Sequence, residues 1–123
     1  MSGAWTPPGW PASVHPPGVE GFPRTAQNWL FDHCPPDFRS YDVLRRHPVL
    51  LARLTREQLT AAVEACRSGY RTARAELRDV VPPPVVAELL GTYEREGRRL
   101  AAAARAADLI SRALAGESFV EPL

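Results

Sequence analysis

No lysine occurs among the 123 residues, so all 15 basic side chains are arginines, and the chain holds only 2 cysteines, 3 histidines and 1 methionine. The arginine excess reads as the mark of a GC-rich coding genome rather than a selected chemistry. His15, His33, Cys34, His47 and Cys66 show no C-x-x-C, H-x-x-x-H or comparable spacing, so no metal and no cofactor is expected. The glycines sit near the start or singly, which excludes a glycine-rich phosphate loop. Apolar runs fall far short of the ~20 residues a membrane span needs. With no signal-like stretch at the start, the expected setting is the cytosol, with reduced thiols. The 15 basic and 14 acidic residues leave a net charge of +1, so no overall field draws the chain to nucleic acid or an anionic membrane.

What is present is 45% hydrophobic residues, enough for one modest core and hence one domain. Residues 1–24 stand apart, with 6 prolines, 4 glycines and only 2 charged side chains. Two phrases recur there, Pro7-Pro8-Gly9-Trp10-Pro11 and Pro16-Pro17-Gly18 running on to Phe22-Pro23. Proline excludes helix, and the segment reads as a stiff extended arm, partly polyproline II, displaying Trp5, Trp10 and Phe22. Those aromatics either engage another protein or fold back onto a groove of the chain's own helices.

From Thr25 the punctuation is helical. Short helices are expected over 26–34, 37–46 and 48–54, bounded by Thr25, Asp37 and the prolines at 35, 36 and 48. Thr55 and Gln58 form a capping box, with Leu54 and Leu59 as a hydrophobic staple, predicting a new helix over about 56–80. Its apolar residues (Leu59, Val63, Cys66, Tyr70, Ala73, Leu77, Val80) alternate spacings of four and three, a coiled-coil seam. Pro82-Pro83-Pro84 breaks it, and a second long helix follows over about 84–115, ending before Gly116. The expected architecture is all-α: a long antiparallel coiled-coil-like hairpin carrying two or three short N-terminal helices, with the arm (1–24) before the helical domain (25–115) and a tail (116–123) after it. At 1.5 Å per residue the long helices span roughly 37 and 48 Å, so the hairpin projects beyond a globule. Small residues in the far half of the last helix predict self-association, and the tail either docks on the chain, binds a partner or does nothing.

Arg67, Arg71, Arg74 and Arg78 recur at four, three and four, forming one row beside the seam. In a hairpin turning near Pro83, Glu88 would face Arg78, with Glu94 and Glu96 near Arg71 and Arg74, giving an interhelical ion-pair flank. The other reading is a phosphate-tracking stripe for RNA or DNA, extended by Arg98, Arg105 and Arg112. Asp32-His33-Cys34 invites a thiol-nucleophile reading, but sequence neighbours cannot form a triad, and a buried cysteine closing a helix fits better. Gly69, Gly91 and Gly97 each cost a helix about 1 kcal/mol, which points to close approach by another backbone.

The block Trp29-Leu30-Phe31-Asp32-His33-Cys34-Pro35-Pro36-Asp37-Phe38-Arg39, continuing through Tyr41 to Arg45-Arg46-His47-Pro48, resembles a family of small uncharacterised helical proteins from GC-rich bacteria, over about residues 22–115. The resemblance implies no activity, ligand or catalytic residue. On physical grounds Arg39, Arg45 and Arg46 either lie on a solvated face or rim an aromatic docking patch. The expectation is a non-enzymatic cytosolic interaction module, an adaptor or accessory subunit, with a protein partner or self-association through the hairpin and the aromatic arm. An Arg-dependent RNA- or DNA-binding protein is the alternative.

Overall fold

A computed structural model of the chain describes residues 5–123. Among them the regular structure is all helical: α1 (Phe22–Asp32), a 3-10 turn (Pro36–Ser40), α2 (Asp42–Arg46), α3 (Pro48–Glu76) and α4 (Pro83–Leu114). No helix there is long and apolar enough to cross a membrane.

The arm is not extended. Each Pro-Pro-Gly phrase closes a tight turn, with Trp10 N–H donating to the Pro7 carbonyl and Val19 N–H to the Pro16 carbonyl, both at 3.1 Å. Gly9 and Gly18 supply the positive φ, 95° and 83°, that position i+2 of a type II turn requires, while Pro8 and Pro17 preset i+1. These turns fold the arm back onto the helices, where Val14 is 3% exposed within the main core. A further turn, closed by Phe22 N–H on the Val19 carbonyl, passes through Gly21, and with Pro23 in its first turn α1 starts at Phe22 rather than after Thr25. Thr25 is therefore not a cap. Its hydroxyl donates to the Gly21 carbonyl at 2.7 Å and accepts the His15 N–H at 3.0 Å, tying arm to helix.

The expected 37–46 helix divides at Tyr41 into the 3-10 turn and α2. The opposite happens at Thr55, where no boundary occurs and α3 runs unbroken from Pro48. Thr55 is completely buried, and its hydroxyl donates back to the Leu51 carbonyl at 2.8 Å, leaving no side-chain cap for a new helix. Pro48, with its preset φ, had already started the helix one segment earlier. At the far end α3 stops at Glu76 instead of continuing to Val80.

The two long helices pack along their lengths. One core joins α1, the arm, the first half of α3 (Leu51, Ala52, Leu59) and the last half of α4 (Ala103, Ala107, Ile110). A separate small cluster of Ala73, Val86 and Leu90 closes the other end. The small residues of α4 do admit a close neighbour, but that neighbour is the chain itself: Ala103, Ala106, Ala107 and Ala113 are all buried in the main core. The face expected to self-associate is thus occupied internally.

Candidate functional site

Between the two clusters the pairing of α3 with α4 lacks a third layer. The seam residues Val63 and Cys66 are half-buried there, and Tyr70 is 38% exposed. They floor an open groove of about 460 Å³ together with Tyr93, Gly97 and Ala101 of α4. Gly97 keeps that floor low, because a Cβ at this position would meet nothing within 4 Å. Gly69 has a different cause: a Cβ there would lie 2.4 Å from Cζ of Tyr93, so the glycine admits an aromatic ring from α4 and not another backbone.

Half of the arginine row lines this groove. Arg67 and Arg71 edge it on the α3 side and Arg98 on the α4 side. Arg105 stands at one continuation, sharing Val63, Arg67 and Ala101 with the groove, while Arg74 and Arg78 line a further hollow toward the end of α3. The ion-pair flank does not form. Arg67 pairs with Glu64 of its own helix at 2.9 Å, whereas Arg71, Arg74, Arg78, Glu88 and Glu94 make no ion pair among the described residues. Glu96 pairs instead with Arg99, which holds its carboxyl below the usual carboxylate range. The reason is register: Arg56 faces Asp108 at 3.6 Å and Tyr93 covers Gly69, a pairing displaced from that of a turn centred near Pro83. Six guanidiniums line the groove, its continuation and the neighbouring hollow against two carboxylates, Glu64 and Glu94. Arg112 does not extend the row. It pairs with Glu117 of the tail, and its guanidinium lies 5.3 Å from the Phe119 ring centroid.

The other candidate residues are consumed by the fold. Trp10 donates its Nε1–H to the Val14 carbonyl at 2.9 Å, and its ring centroid lies 6.0 Å from those of Phe22 and Phe119. Phe22 is buried and Trp5 half-buried, lining with Phe119 a second cavity between arm and tail. The arm aromatics and the tail therefore cap the chain's own core. Arg39 pairs with Asp32 at 2.5 Å, Arg46 with Asp42 at 2.6 Å, and Arg45 with Asp42 at 3.2 Å and with the Arg39 carbonyl. Within the aromatic patch they were expected to rim, Phe38 packs against the core and Tyr41 stays exposed.

His33 stacks on Trp29 with centroids 3.9 Å apart, and its Nδ1–H donates to the Trp29 carbonyl at 2.8 Å, which fixes the ring against α1. Cys34 Sγ lies 3.1 Å from Thr55 Oγ1, a pair in which either atom can supply the proton. Burial pushes the Cys34 thiol above its ordinary range, outweighing the Thr55 hydrogen bond and the Arg39 charge, which act downward. A raised pKa leaves less thiolate at neutral pH, so iodoacetamide is expected to modify Cys34 several-fold more slowly in the native protein than in the urea-unfolded chain. A native rate equal to or above the unfolded one would restore the nucleophile reading. Among the described residues no cluster of three or more metal-ligating side chains occurs.

Comparison of the chain with known protein-family models, curated proteins and solved structures finds no match.

Proposed function

We propose that the chain is a non-enzymatic cytosolic protein-interaction module, an adaptor or accessory subunit, in which α3 and α4 act as a coiled-coil-like hairpin and receive a segment of another protein in the groove between them. One observation carries this reading. A seam that should be covered is left half-exposed at Val63, Cys66 and Tyr70, beside Arg71, Arg74 and Arg78, which make no ion pair among the described residues. Burying that floor under a third helix completes the packing that α1 supplies at only one end. The arm takes no direct part in this reading; it braces the core.

A photo-crosslinking amino acid at Tyr70, in cells that normally make the protein, is expected to yield a discrete heavier adduct. The same group at Ala102, exposed on α4 outside the groove, should yield none. Equal yields from both positions, or none from Tyr70, would overturn the reading.

The guanidiniums without an ion pair among the described residues also support a second reading, Arg-dependent RNA or DNA binding. It requires affinity for a labelled single strand or duplex that falls steeply with salt and disappears when Arg67, Arg71, Arg74 and Arg78 are all changed to Gln. Absence of binding at low salt removes it.

A further inference from the structure

We infer that the occupant of the groove is an acidic amphipathic α-helix, with apolar residues in heptad spacing and carboxylates along one flank; this rests on the interaction-module reading above. Three features identify that chemistry.

The first is period. Three arginines on α3, Arg67, Arg71 and Arg74, stand about 10 Å apart end to end in steps of about one helical turn, and Arg78 follows in the turn after Glu76. A helix lying along the groove repeats its flank at about the same 5.4 Å pitch, so carboxylates spaced three and four apart stay in step with the row. An extended strand presents one face every ~6.8 Å and is about 3 Å out of step after two repeats.

The second is the floor. Val63, Cys66 and Tyr70 alternate spacings of three and four, as the holes of a coiled coil do, and Gly97 leaves depth for a large apolar knob. A polyphosphate backbone gains nothing from Val63 or Cys66, and Glu64 and Glu94 at the edges repel it.

The third is charge. With six guanidiniums against two carboxylates, a second copy docking face to face would set arginine against arginine. An acidic helix meets the same residues as partners, and steering favours its approach.

The test uses the full chain and a fluorescein-labelled peptide of three heptads with Leu at a and d and Glu at e and g, whose own charges discourage self-pairing. Anisotropy should show binding that weakens about tenfold or more as NaCl rises through a few hundred millimolar, and a matched peptide with Lys at e and g should not bind. The two cysteines are built-in reporters. The Glu peptide should protect Cys66, on the groove floor, from iodoacetamide and leave the rate at Cys34 unchanged. Arg71→Gln, Arg74→Gln and Arg78→Gln together should weaken binding about tenfold or more. Gly97→Leu fills the groove and removes a helical glycine, so it should abolish binding while its thermal melt stays at or above that of the parent.

Equal binding of the Glu and Lys peptides, no protection of Cys66, or protection of Cys66 by a single-stranded RNA 20-mer but not by the Glu peptide would each overturn the inference. If the peptide fails while Tyr70 still yields its crosslink in cells, the partner's chemistry is wrong and the interaction-module reading stands. If both fail, that reading falls as well.

Discussion

Removing residues 1–21, so that the chain begins at Phe22, is expected to lower the melting temperature by roughly 15 °C or more. Val14 is 3% exposed in the main core and is the arm's deepest anchor. Trp10 lies over Phe22 and against Phe119, so its loss uncovers the first residue of α1 and the tail together. A buried valine, a half-buried tryptophan and the re-exposed ring of Phe22 amount to about 3–5 kcal/mol of apolar burial. The truncation also removes the His15 N–H that the Thr25 hydroxyl accepts. Circular dichroism should show the helices surviving at low temperature and melting early. A melting temperature within about 3 °C of the parent would mean the arm is an appendage, returning it to the role of a ligand for another protein.

Gly69→Ala is expected to change sign with its background. In an otherwise unaltered helix the substitution stabilises by about 1 kcal/mol, because alanine loses less backbone entropy on folding. Here the new Cβ would lie within 2.4–2.6 Å of the far end of the Tyr93 ring, so the ring must swing away from the small cluster it packs against. Losing that packing costs about 2–3 kcal/mol, so the single variant should be less stable by about 1–2 kcal/mol. In a Tyr93→Ala background nothing obstructs the Cβ, and the same change should stabilise by about 1 kcal/mol. Urea denaturation of the four proteins closes the cycle, with an expected coupling of about 2–3 kcal/mol. A Gly69→Ala effect identical in both backgrounds would separate the glycine from the ring.

These two sites show where local sequence signals stop being sufficient. The Pro-Pro-Gly phrases carry the residue pattern of type II turns as well as that of a stiff arm. Between the two, the decision rests on whether Val14 and Trp10 find an apolar surface to cover, and that surface is assembled from α1, α4 and the tail, distant in the chain. Thr55 and Gln58 are a correct capping box in local terms. The box is silent because the Thr55 hydroxyl is buried beside Cys34 and turned to the Leu51 carbonyl, in a helix that Pro48 had already begun. The arginine row was legible as a row, since spacing alone puts positions four and three apart on one face. Whether carboxylates stand across from it depends on how the segment between Glu76 and Pro83 sets the register of α3 against α4, and no short-range pattern encodes that.

By itself, then, the sequence determined the helical class, the presence of two long helices separated by the triple proline, the seam on α3 and the alignment of its arginines, because each follows from periodicity and from proline's missing donor. Tertiary structure alone decided that the arm folds back, that the small-residue face of α4 is used internally, and that the seam stays open at its middle. Those outcomes depend on one physical circumstance. The third layer, made of α1, the arm and the tail, is long enough to cover only one end of the helical pair, and the arginines lie where the cover runs out.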